Sequence, residues 1–486
     1  MERLLAVLNV MARIALIFGL ALLLPIGVSW WIDDGALGAF DEALLGTLGG
    51  SALIALATRR FRRELRANDG VLLVVLCWIL LPLIATVPLL LGIPGLRFVD
   101  AYFEAVSGLT ATGATALSGL DGLPPSLNLW RTELHWIGGL GIIVLAVAIL
   151  PLLGVGGRQL MKAEVPGPVK EAGITPRVTE TAKGFWIIYL ALTILCALAY
   201  GLGGMSWLDA LIHAFSTVAL GGFSSHDASF AFFDSPLLEA ITIAFATISG
   251  ISYVTHFAVL SGRSLRPYWR DGEASWYLGV LLASVLLIAA YIWQQGYYAE
   301  FSTALRHAAF NTVSVATTLG YASTDYAKWP FFAPLWMLFL CSFATCGGST
   351  GGGIKMMRAV ILYKQVFREI THAIHPNATT FVKLGGAIVP NKIILAVLGY
   401  GFLYMLCTIV FTLALAASGA DIVSAFSAAV ACFNNTGPGL GLVGPDSNYG
   451  VLNDFQIWVC SFAMLLGRLE ILTLLVVLTP AFWRKE

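Results

Sequence analysis

From Val71 to Ile93 the chain carries no charged residue. A helix needs about 20 consecutive apolar residues to cross a bilayer, and this run is long enough. Gly184 to Met205, Ser275 to Trp293 and Ile393 to Ala417 are equally free of charge. Further apolar runs lie near 14–32, 43–58, 133–153, 240–262 and 455–482. One more, Phe331 to Cys346, is interrupted by "GGSTGGG" and resumes toward Phe367, giving ten segments in all. A soluble domain holds about 25% charged residues, whereas this chain holds 12%, with 58% hydrophobic. The expectation is an all-α polytopic membrane protein. The start, "MERLLAVLNVMARIALIFGLALLL", lacks a small-residue cleavage site and reads as a retained first helix.

Charge sets orientation. Arg59, Arg60, Arg62, Arg63 and Arg66 form one basic cluster. Arg158, Lys162, Lys170, Arg177 and Lys183 fill the 156–183 link, and Arg263, Arg266 and Arg270 follow a later crossing. Lys355, Arg358, Lys364, Arg368, Lys383 and Lys392 mark another connection. These fall on alternate connections, which places them and both termini in the cytoplasm. The 28 basic and 28 acidic residues cancel, so nucleic acid is excluded as a partner. The seven cysteines form no CxxC and read as small apolar packing residues.

Between paired segments, on the outer side, lie four short stretches too brief to span: "EAVSGLTATGA", "HAFSTVALGGF", "NTVSVATTLGY" and "AAVACFNNTGP". They align on Gly113, Gly222, Gly320 and Gly437, roughly 100 residues apart, one copy per helix pair. Six positions before each glycine stand Ser107, Ser216, Ser314 and Ala431. Non-helical backbone at membrane depth is tolerated only inside protein or beside a water-filled cavity. A short helix that dips in, followed by an extended glycine-containing strand, leaves carbonyls without helical partners. Four such strands about one axis form rings of oxygen that can replace a cation's hydration shell.

On "TATGA", "STVALGGFSSHD", "VSVATTLGYASTDY", "NNTGPGLG", "GGSTGGGIKMMR" and "GRLEILTLL" the chain resembles the Trk/Ktr/HKT superfamily of potassium transporters, and within it the TrkH type of bacterial membrane subunit. The resemblance covers nearly the whole chain. It implies four fused helix–pore-loop–helix repeats around a pseudo-fourfold pore, plus two extra N-terminal transmembrane helices. The divisions are then 1–67, 68–155, 156–262, 263–370 and 371–486. It implies uptake of K⁺ (with Rb⁺ and Na⁺ as possible companions) across the bacterial inner membrane. It also implies a homodimer and a cytosolic nucleotide-binding regulatory ring protein. Carried over by position, the ion-facing carbonyls belong to Ala111, Thr112 and Gly113; Leu220, Gly221 and Gly222; Thr318, Leu319 and Gly320; and Asn435, Thr436 and Gly437. Glycine at all four aligned positions favours potassium; none of the copies is the full five-residue potassium-channel filter.

The loop 346–354, with Gly347, Gly348, Gly351, Gly352, Gly353 and the adjoining Lys355, becomes an intramembrane gate on the same resemblance. It neither follows a strand nor ends in Gly-Lys-Ser/Thr, so it is not a phosphate-binding loop. Arg468 lies inside the last apolar run, where a charge is costly and faces protein or water. The resemblance puts it in the cavity below the filter, opposing the moving cation; the alternative is a structural ion pair. His213 and His307 read as structural. No cofactor, metal cluster, nucleophile triad or working pair of carboxylates is expected, which argues against an enzyme. The competing functions are a Na⁺-permeable or K⁺/Na⁺-cotransporting member of the superfamily, and a polytopic membrane enzyme or scaffold.

Overall fold

The computed structural model describes residues 2–61, 66–148 and 178–484. Arg62, Arg63, Arg158, Lys162, Lys170 and Arg177 therefore lie outside the described residues, as does the end of the 133–153 run. The N-terminal pair is α1 (Glu2–Gly19), continued through a 3-10 turn into α2 (Leu23–Ile32), and α3 (Leu37–Ala57). Four groups with one plan follow, each a long helix, a short helix, a bare loop and a second crossing. The first comprises α4 (Ala67–Gly92), α5 (Phe98–Leu109) and α6 (Pro125–Ala148). The second comprises α7 (Val178–Leu202), α8 (Trp207–Ala219), α9 (Pro236–Ser249) and α10 (Tyr253–Gly262). After the short α11 (Arg266–Arg270) come α12 (Gly272–Gln294), α13 (Phe301–Ala316), α14 (Phe332–Leu340) and α15 (Met356–Ile374). The fourth comprises α16 (Asn391–Ala417), α17 (Ile422–Phe433), α18 (Asp454–Arg468) and α19 (Ile471–Leu478), and α20 (Pro480–Trp483) ends the described chain.

Among the described residues, six helices are long and apolar enough to span a membrane, or eight if each of two bent pairs counts as one span. With α6 and the interrupted α14–α15, the ten expected segments appear in order. Among the described residues three of the four second crossings are broken, although only the break after Cys346 was expected. The α9–α10 pair bends by 87° and the α18–α19 pair by 112°. The expected break is also wider than 346–354, running from Leu340 to Met356. A two-stranded antiparallel hairpin, β1 (Lys383–Leu384) and β2 (Ala387–Ile388), is the departure from an all-helical chain.

The helices carry their apolar residues outward as well as inward. On α7, Tyr189, Cys196 and Tyr200 are buried, while Ile194, Leu198 and Leu202 are exposed, the last at 89%. A helix apolar all round is a membrane span or a deep core element, and here the outer face is left for lipid. The short helices start on caps their sequences announce. Ser206 accepts from Asp209 N and Asp421 from Ser424 N, which satisfies an otherwise orphaned amide. Asn453 and Gln456 form a capping box at the head of α18. The N-terminal helices α1 and α3 pack on α4, and α2 packs on α6. One apolar core joins the N-terminal pair to the first and fourth groups, and a second joins the second and third groups.

Candidate functional site: a four-loop ring and the segment beneath it

The four short helices α5, α8, α13 and α17 end in the same way. Thr112 N donates to Ser107 O at 2.9 Å, Gly221 N to Ser216 O at 2.8 Å, Leu319 N to Ser314 O at 2.8 Å and Thr436 N to Ala431 O at 2.9 Å. Inside each of these lies a tighter bond: Ala111 N to Gly108 O, Leu220 N to Thr217 O, Thr318 N to Val315 O and Asn435 N to Cys432 O. This nested pair is the Schellman helix stop, which requires a left-handed residue just past the cap. That residue is Ala111 (φ 50°), Leu220 (φ 56°), Thr318 (φ 63°) or Asn435 (φ 55°). Three of the four are not residues that adopt αL readily, a strain of about 1–3 kcal/mol each that concentrates at functional sites.

Two residues on, Gly113, Gly222, Gly320 and Gly437 have φ of 79°, 89°, 84° and 91°. The intervening Thr112, Gly221, Leu319 and Thr436 are not in the positive region. This alternation breaks the two-fold reversal of an ordinary strand, in which successive groups point to opposite faces. The loops also close on one another. A Cβ placed on Gly113 would overlap Gly221 O; one on Gly222 would overlap Leu319 O; and one on Gly320 would overlap Thr436 O. One on Gly437 would stand 2.6 Å from Thr112 O. The contacts run first to second to third to fourth and back to first. All twelve sequence-nominated loop residues therefore lie in one ring, and a cavity above it is lined by the four glycines.

Buried side chains hold the ring from behind. Glu104 accepts from Arg131 Nε at 2.7 Å, from Thr115 Oγ1 at 3.0 Å and from Ala116 N at 3.1 Å. Arg131 also donates to Ser224 O at 3.1 Å and lies over the Phe223 ring, tying the first loop to the second. His135 Nδ1 is 3.0 Å from Ser216 Oγ, and its ring fills the space a side chain at Gly221 would need. Tyr321 OH donates to Phe223 O at 3.2 Å, and Tyr449 OH to Gly437 O at 2.7 Å. The Gly437 carbonyl is thus shared with the scaffold. Asn435 Nδ2 reaches Thr112 Oγ1 at 3.0 Å, across the last seam of the ring. Of these, Glu104, Arg131, His135, Tyr321 and Tyr449 were not singled out from sequence. The charges within "LNLWRTELHW" at the head of an apolar run were the available signal.

The segment between α14 and α15 lies against the opposite face of the ring. Thr350 Oγ1 donates to Val218 O at 3.1 Å, and Gly352 N to Thr318 Oγ1 at 3.0 Å. A Cβ on Gly352 would overlap Asn434 O, and one on Gly351 would stand 3.2 Å from Thr317 O. Close approach of backbone to backbone, more than freedom to move, is what these two glycines supply. Gly348 and Gly353 have φ of 75° and 82°, and Lys355 has φ 78° with its ammonium on Gly351 O. Gly347 N is bound by Glu273, a partner sequence reasoning did not nominate.

Arg468 is 5% exposed at the C-terminus of α18, just before the 112° bend. Its two terminal nitrogens donate to Thr350 O at 2.9 Å and to Gly138 O at 3.1 Å. Both acceptors are carbonyls, so the structural ion pair weighed from sequence is not what holds it among the described residues. One guanidinium thereby connects the fourth group, the loop of the third and α6 of the first. Glu470, within the bend, pairs with Arg358 at 3.1 Å instead. His213 is held at both ring nitrogens, by Asp209 O and Ser224 Oγ, and His307 meets Ser323 Oγ. Among the described residues no group of three His, Cys, Asp or Glu is placed to hold a metal ion.

Similarity to known proteins follows the whole length of this arrangement. The chain is 45% identical over 481 residues to the Trk system potassium uptake protein TrkH of Salmonella typhimurium, covering 99% of each. It is 38% identical over 471 residues to the TrkG protein of the Escherichia coli Trk system, covering 96% of each. The crystal structure of the potassium transporter TrkH from Vibrio parahaemolyticus superposes with a TM-score of 0.91 at 40% identity, covering 99% of this chain and 100% of that one. A family model described as a cation transport protein, TrkH, matches residues 47–485. With that match and relatives aligned end to end, this multi-pass membrane protein belongs to the TrkH family of cation transport proteins.

Proposed function

We propose that the chain conducts potassium ions across the bacterial inner membrane through a pore on the axis of the four-loop ring. The observation that carries this reading is the cyclic closure itself. Each filter glycine abuts the middle carbonyl of the next group, which brings Thr112 O, Gly221 O, Leu319 O and Thr436 O to one level. Four carbonyls around an axis can stand in for the water a cation sheds. The carbonyls of Ala111, Leu220, Thr318 and Asn435 supply an adjoining level, and those of Gly113, Gly222, Gly320 and Gly437 a further one, with Gly437 O shared with Tyr449. The short helices point their C-termini at the ring, so their dipoles add negative potential where the ion rests. The chain acts as a conductor and not an enzyme, with K⁺ as cargo and no cofactor.

Beneath the ring the glycine loop and Arg468 form the gate. Thr350 and Arg468 occupy the route an ion leaving the filter would follow, and the guanidinium repels it. The five divisions 1–67, 68–155, 156–262, 263–370 and 371–486 are then an N-terminal extension and four pore repeats, with both termini in the cytoplasm. The basic 156–183 and 355–392 links, the first of them described only from residue 178, carry part of the contact with a nucleotide-binding ring regulator, and two copies of the chain pair as a homodimer. The relatives named for potassium uptake support the cargo.

The test is rescue. Expression should restore growth of uptake-deficient bacteria at limiting K⁺, with Rb⁺ competing strongly and Na⁺ weakly. No rescue by a protein that reaches the membrane would sink the conduction reading. Na⁺ competing as well as Rb⁺ would replace it with a Na⁺-permeable member of the family.

A further inference from the structure

The loop beneath the ring is held at its tip and at its stem by different partners. The tip is bound by Val218, Thr318 and Arg468. The stem closes on itself, with Met356 N donating to Thr345 O at 2.7 Å. Its entry side is stitched to the break between α9 and α10: Cys346 N donates to Gly250 O, and Tyr253 N to Gly348 O, each at 3.0 Å.

Across the stem lies one side chain from another helix. Glu273, in the first turn of α12, is 1% exposed. Its Oε1 accepts Gly347 N at 2.7 Å and Met357 N at 3.0 Å. These amides sit at opposite ends of the glycine segment. Met357 N lies in the first turn of α15, where no helical carbonyl precedes it. Glu273 is itself fixed. Asp271 caps α12, accepting from Glu273 N at 3.0 Å, and its other oxygen accepts Thr255 Oγ1 at 2.7 Å. The first turn of a helix favours a negative group, and hydrogen bonds to a carboxylate are stronger than neutral ones.

We propose that Glu273 is a positioning residue that clasps both ends of the loop and sets how readily it leaves the pore axis. This rests on reading the loop as the gate. Moving the loop aside separates its two ends from one oxygen, stranding a buried carboxyl group and two amides. The clasp therefore biases the loop toward the position seen here. It also lies where the connecting layer meets the loop. Glu273 stands three residues after the end of α11, and a Cβ on Gly272 would stand 3.1 Å from Gly385 N in the hairpin. A displacement of α11 or the hairpin reaches the loop through Glu273 as well as through the α9–α10 break.

The full chain, in vesicles of phosphatidylethanolamine and phosphatidylglycerol without any regulator, provides the test. Glu273→Ala should raise Rb⁺ influx about tenfold per folded protein. Glu273→Gln, which keeps an acceptor oxygen but no charge, should raise it about threefold. Hydrogen exchange over 345–358 should quicken in the same order, with the filter loops and the Rb⁺/Na⁺ ratio unchanged. Wild-type influx and wild-type exchange in Glu273→Ala overturn the proposal. So does reduced influx with faster exchange across the filter loops and a lowered melting point, which marks Glu273 as scaffold only. If Glu273→Ala does not fold, exchange in Glu273→Gln decides. A rise in Arg468→Ala but not in the Glu273 variants leaves the gate standing and removes the clasp. If neither wild type nor any gate variant passes Rb⁺, the conduction reading falls, and exchange still decides the clasp.

Discussion

Serine in place of Gly113 should lower the preference for K⁺ over Na⁺ about tenfold while leaving the protein folded. Two costs meet at this position. The first is conformational: φ is 79°, and an L side chain in that region costs about 1–2 kcal/mol. The second is steric, because the new Cβ would overlap Gly221 O, a carbonyl of the ring level proposed to meet the ion. Either the first loop rotates or the second gives way, and each response moves an oxygen off the axis. If about 1.4 kcal/mol of the combined cost appears as lost discrimination between the two ions, the ratio falls tenfold. Gly119 provides the control. Its φ is 73° and a Cβ there meets nothing within 4 Å, so Gly119→Ser carries the first cost without the second. Reversal potentials under opposed K⁺ and Na⁺ in planar bilayers read the ratio directly. An unchanged ratio in well-folded Gly113→Ser, or an equal fall in Gly119→Ser, would refute the filter assignment.

Arg468→Ala should raise regulator-free K⁺ flux at least tenfold, since two unit charges about 4 Å apart at an effective dielectric near 20 repel by roughly 4 kcal/mol, part of it offset by water. Flux at or below wild type, normalised to folded protein in liposomes, would remove the gate role. Arg131→Met should cost about 3–5 kcal/mol by stranding Glu104, because the pair is 1% and 0% exposed; detergent melting checks this, and adding Glu104→Gln should restore part of the loss. His226 and Asp121, which are hydrogen-bonded, link the first and second outer loops, with Asp209 Oδ1 3.5 Å from the other ring nitrogen. Burial pushes the His226 pKa down, but the close Asp209 carboxylate and the Asp121 hydrogen bond outweigh it and hold it above 6.5. The His226 hydrogen bond holds Asp121 below its ordinary 3.8. A raised histidine stabilises below its ordinary pKa and loses that contribution as pH rises through its folded value. A depressed carboxylate loses its contribution as pH falls through its own folded value. The melting midpoint should therefore fall as pH rises above about 6.5 and through the raised pKa of folded His226, and His226→Gln should flatten that step; an identical pH profile in the variant would refute the link.

The helices were legible because a membrane span is a matter of composition over length, and an uncharged run such as Val71 to Ile93 has no other stable use in lipid. The ring was legible for a narrower reason. Only glycine tolerates both positive φ and a neighbour's carbonyl against its Cα, so Gly113, Gly222, Gly320 and Gly437 had to appear in phase. The residues two positions earlier carry the same left-handed backbone, yet Ala111, Leu220 and Thr318 give no sign of it, because their conformation is imposed by the helix stop and the packing around it. The small residues six before each glycine were visible as a repeat, but it is their backbone carbonyls that act, and so alanine at position 431 serves as well as serine at 107. The unexpected breaks share this origin. "GRLEIL" contains no residue that forces a 112° bend between Arg468 and Ile471. It follows from partners far away in the chain, with Arg468 on Thr350 and Gly138 and Glu470 on Arg358. Local chemistry therefore announces where backbone must be bare, while what holds that backbone is written in residues such as Glu104, Arg131 and Glu273, whose meaning depends on contacts that close only when the four groups meet. Substitutions that spare every glycine can then still unseat the ring, through Arg131, or free the loop, through Glu273.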